Sequence, residues 1–189
     1  MQDYSELSDT ELVALALQDK EHFLPLMRRY EERLLRYIRR ISSASLEDAE
    51  DILQEIFLKT YLNLNGFDRK LKFSSWIYRI AHNETMSHFR KVKARPQSAE
   101  LEDDAFLNLA SDLDIKKTAE THELVANLHR VLGKMDDKYR EVLILKYLEG
   151  LDYNEISDVL RKPLGTIGTL LRRAKGKFKQ EARKLNLEF

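Results

Sequence analysis

Apolar residues recur every three or four positions along most of the chain, and no stretch alternates with the period of two that a strand requires. The pattern therefore predicts an all-α protein. Ser8 to Leu17 reads as a short first helix, opened by Ser8-Asp9-Thr10-Glu11 and carrying Leu12, Leu15 and Ala16 on one face. A longer helix runs from His22 to Ile41, with Pro25 in its first turn and Phe23, Leu26, Met27, Tyr30, Leu34, Tyr37, Ile38 and Ile41 on its apolar side. Arg28, Arg29, Arg33, Arg36, Arg39 and Arg40 fill its other faces, either as a solvated surface or as a contact for an acidic partner. Ser45 caps a third helix ending near Leu64, and Glu47, Asp48, Glu50 and Asp51 complement its positive N-terminus. Its inner stripe is Ala49, Ile52, Leu53, Ile56, Phe57 and Thr60. The opposite face sets Leu58 and Leu62 beside Asp51, Gln54 and Glu55, which reads as a docking face for another protein or as a surface covered by a helix of the same domain.

A loop with early turn residues and late cations, Asn63 to Lys72, leads to a fourth helix from Trp76 to about Lys91, capped by Ser74 or Ser75. Ile77, Ile80, Ala81 and His88 lie near one face, and Arg79, Asn83, Met86 and Arg90 form the opposite stripe. An aromatic beside a basic stripe, after a loop carrying Phe67, suits unstacked bases resting on rings while cations follow the backbone. Taken on this helix alone, Trp76 reads more simply as core. Beyond Arg90 the periodicity fades into Glu100, Glu102, Asp103, Asp104, Asp112, Asp114, Glu120 and Glu123, the composition of an interdomain linker. The expected organisation is a domain over 1–94, an acidic linker over 95–120 and a second domain over 121–189.

Helical pattern returns at Thr118 with Leu124, Val125, Leu128, Val131 and Leu132, and breaks at Gly133. Asp136 or Asp137 caps the next helix, Lys138 to Leu148, which Gly150 closes. Asp152 with Glu155 three residues on forms a capping box for a short helix carrying Ile156, Val159 and Leu160. Pro163 then forces a turn through Arg161 to Gly165. In the helix that follows, Ile167, Leu171, Ala174 and Phe178 share one stripe, whereas Thr169, Arg172, Arg173 and Gly176 point away from it. Two helices joined in this way read as a helix-turn-helix. The small, polar, basic outer face of the second suits a major groove, where Arg forks onto guanine or phosphate.

The net charge is zero, so only its distribution is informative: from Arg161 to Lys184 nine cations face Glu181 alone. The chain has no cysteine, hence no disulfide or thiolate metal site, and its polar, acidic start predicts neither a signal peptide nor a membrane span. No nucleophile with a matching base is evident, so no catalytic residue and no cofactor is expected. His82 and His88 near Glu84 stand six residues apart on different helix faces, which argues against a metal site. Gly165-Thr166-Ile167-Gly168 matches the GXXG loop of KH domains, but that fold needs strands.

Three motifs carry a more specific resemblance. Asp48-Ala49-Glu50-Asp51-Ile52-Leu53-Gln54-Glu55-Ile56-Phe57 resembles the core-binding helix of region 2 of bacterial RNA polymerase sigma factors, and Phe73-Ser74-Ser75-Trp76-Ile77-Tyr78-Arg79-Ile80-Ala81-His82-Asn83 resembles the promoter-melting, minus-ten helix of that region. Tyr153-Asn154-Glu155-Ile156, Leu164-Gly165-Thr166-Ile167 and Leu171-Arg172-Arg173-Ala174 resemble region 4. Nothing between them resembles region 3, so length and layout are similar to the extracytoplasmic-function class. The resemblance implies two small helical domains joined by the acidic linker, in a non-enzymatic, cytoplasmic bacterial subunit that brings core RNA polymerase to promoters. It implies that Asp48, Asp51, Gln54, Glu55 and Leu58 meet the clamp helices of the large catalytic subunit. Phe67, Arg69, Lys72, Trp76, Arg79, His82 and Asn83 would meet the melting minus-ten element, and Thr166, Thr169, Arg172, Arg173 and Lys175 the duplex minus-35 element. It further implies a linker threading the active-centre channel and an anti-sigma partner, often membrane-bound, with no membrane insertion by this chain. Gly168 and Leu170 stand where the family often has a basic residue and Arg, and Ser87 and His88 where an Asp and a polar residue are common. A self-sufficient helix-turn-helix regulator is the competing expectation, distinguished by specific duplex binding without polymerase.

Overall fold

The computed structural model describes residues 4, 6–42, 44–94 and 119–187, with the backbone alone at 92–94 and 119–122. The acidic linker expected over 95–120 lies almost wholly outside the described residues. The described residues form α1 (Asp9–Gln18), α2 (Phe23–Ile41), α3 (Leu46–Leu62), α4 (Phe73–Ala94), α5 (Ala119–Gly133), α6 (Asp137–Leu143), α7 (Tyr153–Leu160) and α8 (Leu164–Lys184), with no strand among them.

Local chemistry explains most of these boundaries. Ser8 Oγ accepts from the Glu11 amide at 3.3 Å, and Glu11 Oε2 accepts from the Ser8 amide at 2.8 Å, so two orphan donors of α1 are satisfied reciprocally. Val13 rather than Leu15 completes the buried face of α1 with Leu12 and Ala16. Asp9 ties α1 to α2 by accepting from Arg29 Nη1 at 2.6 Å and from the Tyr30 hydroxyl. In α3, Ser45 Oγ accepts from the Asp48 amide at 3.0 Å, and the buried stripe is the predicted Ala49, Ile52, Leu53, Ile56, Phe57 and Thr60. The helix stops at Leu62 because Leu64 turns into the core through a single 3-10 turn, Leu64–Gly66.

The fourth helix starts at Phe73, not at Trp76. Phe73 is buried, with its ring centroid 5.5 Å from Tyr30, 5.5 Å from Phe67 and 5.6 Å from Trp76, and this aromatic packing pulls the helix start forward. Ser74 and Ser75 therefore sit inside the first turn. Ser75 donates to the Lys72 carbonyl at 3.0 Å, and the Ser74 hydroxyl reaches Glu155.

In the C-terminal half, the predicted Lys138–Leu148 helix is α6 followed by a wider π-helical turn, Ile144–Leu148. Asp136 stands at the cap position of α6 without a side-chain cap bond. The π turn buries Ile144 and Leu145 side by side, and Gly150, at φ +74°, reverses the chain beyond it. Asp152 and Glu155 form the expected capping box of α7, each bond 2.9 Å. The turn after α7 is tighter than predicted, Arg161 to Pro163. Arg161 itself takes the left-handed conformation, at φ 51°, held by Lys162 N–H to Ser157 O at 3.2 Å and Ser157 Oγ to Lys162 O at 2.6 Å. Gly165 accordingly belongs to α8, whose Ile167, Leu171 and Ala174 are buried and whose Phe178 packs partly against the core. The two halves meet along α4 and α7, with α2 approaching α6.

Candidate docking and nucleic-acid surfaces

The capping and packing of α3 determine what its outer face presents. With its inner stripe buried, Asp48, Asp51, Gln54 and Glu55 are exposed together, and Leu58 and Leu62 are 52% and 66% exposed. Among the described residues no helix covers these leucines. Tyr61 extends the apolar strip, exposed at its edge while its ring rests 5.3 Å from Phe23. An apolar strip bordered by carboxylates on a rigid helix can dock a partner surface that offers apolar side chains and cations.

The loop before α4 and its first turns divide into a buried set and an exposed set. Phe67 and Trp76 are buried, their rings 5.2 Å apart, so neither offers a face to a base in this conformation. Their aromatic chemistry is spent on packing against Phe73, which the sequence pattern could not separate from a stacking platform. Arg69, Lys72 and Asn83 are exposed, and Arg79 is half-buried.

Two of the predicted minus-ten residues are engaged by the C-terminal half. Lys72 Nζ lies 2.8 Å from Asp152 Oδ2 and 3.3 Å from Glu155 Oε2, and His82 Nε2 meets Glu141 Oε1. Hydrogen bonding to Asp152, then to Glu155, raises the Lys72 ammonium above its usual range, and the Lys72 contact together with the α7 amides lowers Asp152 to about 2. Beside them, Tyr78 donates to Glu149 Oε2 at 2.6 Å and Arg40 Nη1 to Glu149 Oε1 at 2.8 Å. Arg33 Nη2 reaches the Glu149 carbonyl at 3.1 Å. Of the arginines on α2, Arg29, Arg36 and Arg40 thus pair with carboxylates of the chain, Asp9, Glu32 and Glu149. Burial, reinforced by Glu149, pushes the Tyr78 phenol far above its usual range, so it keeps its hydroxyl proton for the bond to Glu149. Tyr78, Glu141 and Glu149 escaped the sequence reading. The available signal was Ser74, Tyr78 and His82 at four-residue spacing, one stripe of α4.

On α8 the capping turn and the buried stripe leave Thr166, Thr169, Arg172, Arg173 and Lys175 exposed. Thr169 bonds back to the Gly165 carbonyl at 3.0 Å. The Lys175 ammonium sits 5.3 Å above the Tyr147 ring, which draws it to the flank facing the π turn. A Cβ placed on Gly168 would meet nothing within 4 Å, so packing does not demand glycine there, and Leu170 is half-buried against the core. Arg172 and Arg173 can approach phosphates or base edges as the helix enters a groove.

The arrangement defines a helical protein with an exposed apolar strip on α3, a loop-helix beside it and a helix-turn-helix, and comparison with known proteins gives the class. The family model for sigma-70 region 2 matches residues 26–95, and that for sigma-70 region 4 matches residues 126–178. The chain is 31% identical over 173 residues to the ECF RNA polymerase sigma factor SigW of Bacillus subtilis, covering 88% of this chain and 92% of that protein. It is 30% identical over 163 residues to the RNA polymerase sigma-H factor of Pseudomonas aeruginosa, covering 83% and 84%. The fold is similar to that in the structure of CnrH in complex with the cytosolic domain of CnrY, with a TM-score of 0.67 at 23% identity over 91% of this chain and 95% of that one. The chain belongs to the extracytoplasmic-function class of the sigma-70 family. Among the described residues no helix is long and apolar enough to cross a membrane.

Proposed function

We propose that this chain is a dissociable subunit that docks on core RNA polymerase and directs promoter recognition, melting and initiation. The observation that carries this reading is the outer face of α3, where Leu58 and Leu62 stand exposed beside Asp51, Gln54 and Glu55 on a helix whose opposite stripe is fully packed. In this reading that face, with Asp48, meets the clamp helices of the large catalytic subunit. Arg69, Lys72, Arg79, His82 and Asn83 contact the minus-ten element, while Phe67 and Trp76 hold the loop and helix in place from within the core. Thr166, Thr169, Arg172 and Arg173 contact the minus-35 element, with Lys175 on a phosphate at its flank. The functional units are residues 1–94 and 121–189, joined by the acidic segment, and the chain performs no chemistry of its own. It works in the bacterial cytoplasm and is held inactive by an anti-sigma factor, the kind of partner present in the co-crystal structure of the sigma factor RpoE with NepR from Bartonella quintana.

The test is co-purification with core RNA polymerase, wild type beside a Gln54→Ala, Leu58→Asp double variant. Both positions are exposed, so the variant should fold normally and lose at least tenfold in affinity, about 1.4 kcal/mol. Equal retention of both proteins would remove this face from the docking surface.

A further inference from the structure

Within the C-terminal half, α5, the π turn and α8 enclose an apolar cavity of about 290 Å³. Leu128 and Leu132 line it from α5, Tyr147 from the π turn and Phe178 from α8, and Lys175 and Lys179, both exposed, bring two ammonium groups to it. The π turn buries Ile144 and Leu145 and leaves Tyr147 outward, 53% exposed, and such turns recur at functional positions in helices. Leu124, one helical turn before Leu128 on the same face of α5 and also 53% exposed, lengthens the apolar surface. A long apolar surface beside two cations fits an amphipathic peptide flanked by carboxylates, entering as a helix enters a groove.

The acidic segment, outside the described residues, contains such a peptide. In its sequence Phe106, Leu109, Ala110 and Leu113 recur at i, i+3, i+4 and i+7, the anchor spacing of a groove-binding face. Glu102, Asp103, Asp104, Asp112 and Asp114 flank these anchors, with no cation between Glu102 and Asp114. The connection is long enough. From Ala119, the first residue of α5, to Leu128 is about 14 Å along the helix axis, whereas the chain from Ala110 to Ala119 can span about 30 Å.

We propose that residues 103–114 dock in this groove in the free chain, their apolar face on Leu128, Tyr147 and Phe178 and their carboxylates beside Lys175 and Lys179. Attachment to α5 sets an effective concentration in the millimolar range, so a contact with a Kd of about 1 mM is roughly half occupied. The proposal does not rest on the sigma reading. It gives the acidic segment a seat on the C-terminal half besides its role of joining two units.

Hydrogen–deuterium exchange of the full chain, read by mass spectrometry, tests it in the wild type, in Tyr147→Asp and in a Lys175→Glu, Lys179→Glu double variant. All three positions are exposed, so both variants should stay folded, which unchanged exchange in α5 to α8 verifies. In the wild type, peptides covering residues 103–114 should exchange at least roughly twofold more slowly than their sequence does as free chain, the value for half occupancy, at every protein concentration. Each variant sets like charge against the segment and should restore the free-chain rate. Should Tyr147→Asp disturb the helices, the lysine variant decides. Free-chain exchange in the wild type overturns the docking. Slow exchange that persists in a folded variant overturns this groove as its seat, and slow exchange lost on dilution assigns the contact to a second copy instead. None of these outcomes touches the α3 face, which co-purification tests separately.

Discussion

At the residue scale the fold sets the protonation of groups that composition alone leaves undetermined. His129 on α5 is buried, and burial first, then the Arg40 and Arg39 guanidiniums, lowers its imidazole from 6.5 to about 4. The unfolded chain takes up this proton near 6.5 and the folded chain only near 4, so the unfolded state binds more protons between those values. Stability therefore falls as pH drops through that window. Moving from pH 7 to pH 5 should cost the wild type roughly 1–2 kcal/mol that a His129→Gln variant does not lose, read from urea midpoints. Identical pH dependence in the two proteins would contradict this account of His129. Asp152 follows the opposite sign: its lowered carboxyl adds stability above about 3.8 that is lost toward about 2, below any working pH, so the Lys72 contact stays charged at neutrality.

At the element scale, capping chemistry makes a separable prediction. Asp152 accepts the Glu155 amide at 2.9 Å, so Asp152→Ala should destabilise the chain by about 1 kcal/mol, whereas Asp152→Asn, an equally good cap, should lose less. Equal loss in urea unfolding would mean that the charge facing Lys72, and not the cap, is what stabilises α7. Caps and periodicity were also what the sequence made legible: the α3 stripe, the start of α1 at Ser8, the capping box of α7 and the outward set on α8 follow from local spacing. What it concealed depends on contacts between distant residues. The start of α4 is set by Phe73 meeting Tyr30 and Phe67, the turn before α8 by a left-handed Arg161 held by Ser157, and the end of α6 by a π turn that no local signal announces. Phe67 and Trp76 have the residue types of a base-stacking platform and the burial of a core, and spacing cannot tell the two apart.

At the scale of the whole molecule, the chain presents one face outward and another inward. The apolar strip of α3 is open, while the α4 stripe and the loop before it are closed against the C-terminal half by Lys72, Ser74, Tyr78 and His82. A partner that seizes α3 does not have to break the closed contact first. The central claim is that this chain gives core RNA polymerase a promoter specificity it otherwise lacks. Its most direct test is reconstituted transcription: core enzyme with and without the purified chain on a pool of bacterial genomic fragments, with start sites mapped from the transcripts. The account predicts new start sites that appear only with the chain and share two upstream sequence elements at fixed spacing. Start sites indifferent to the chain, together with specific duplex binding by the chain alone, would contradict it and identify a free-standing regulator.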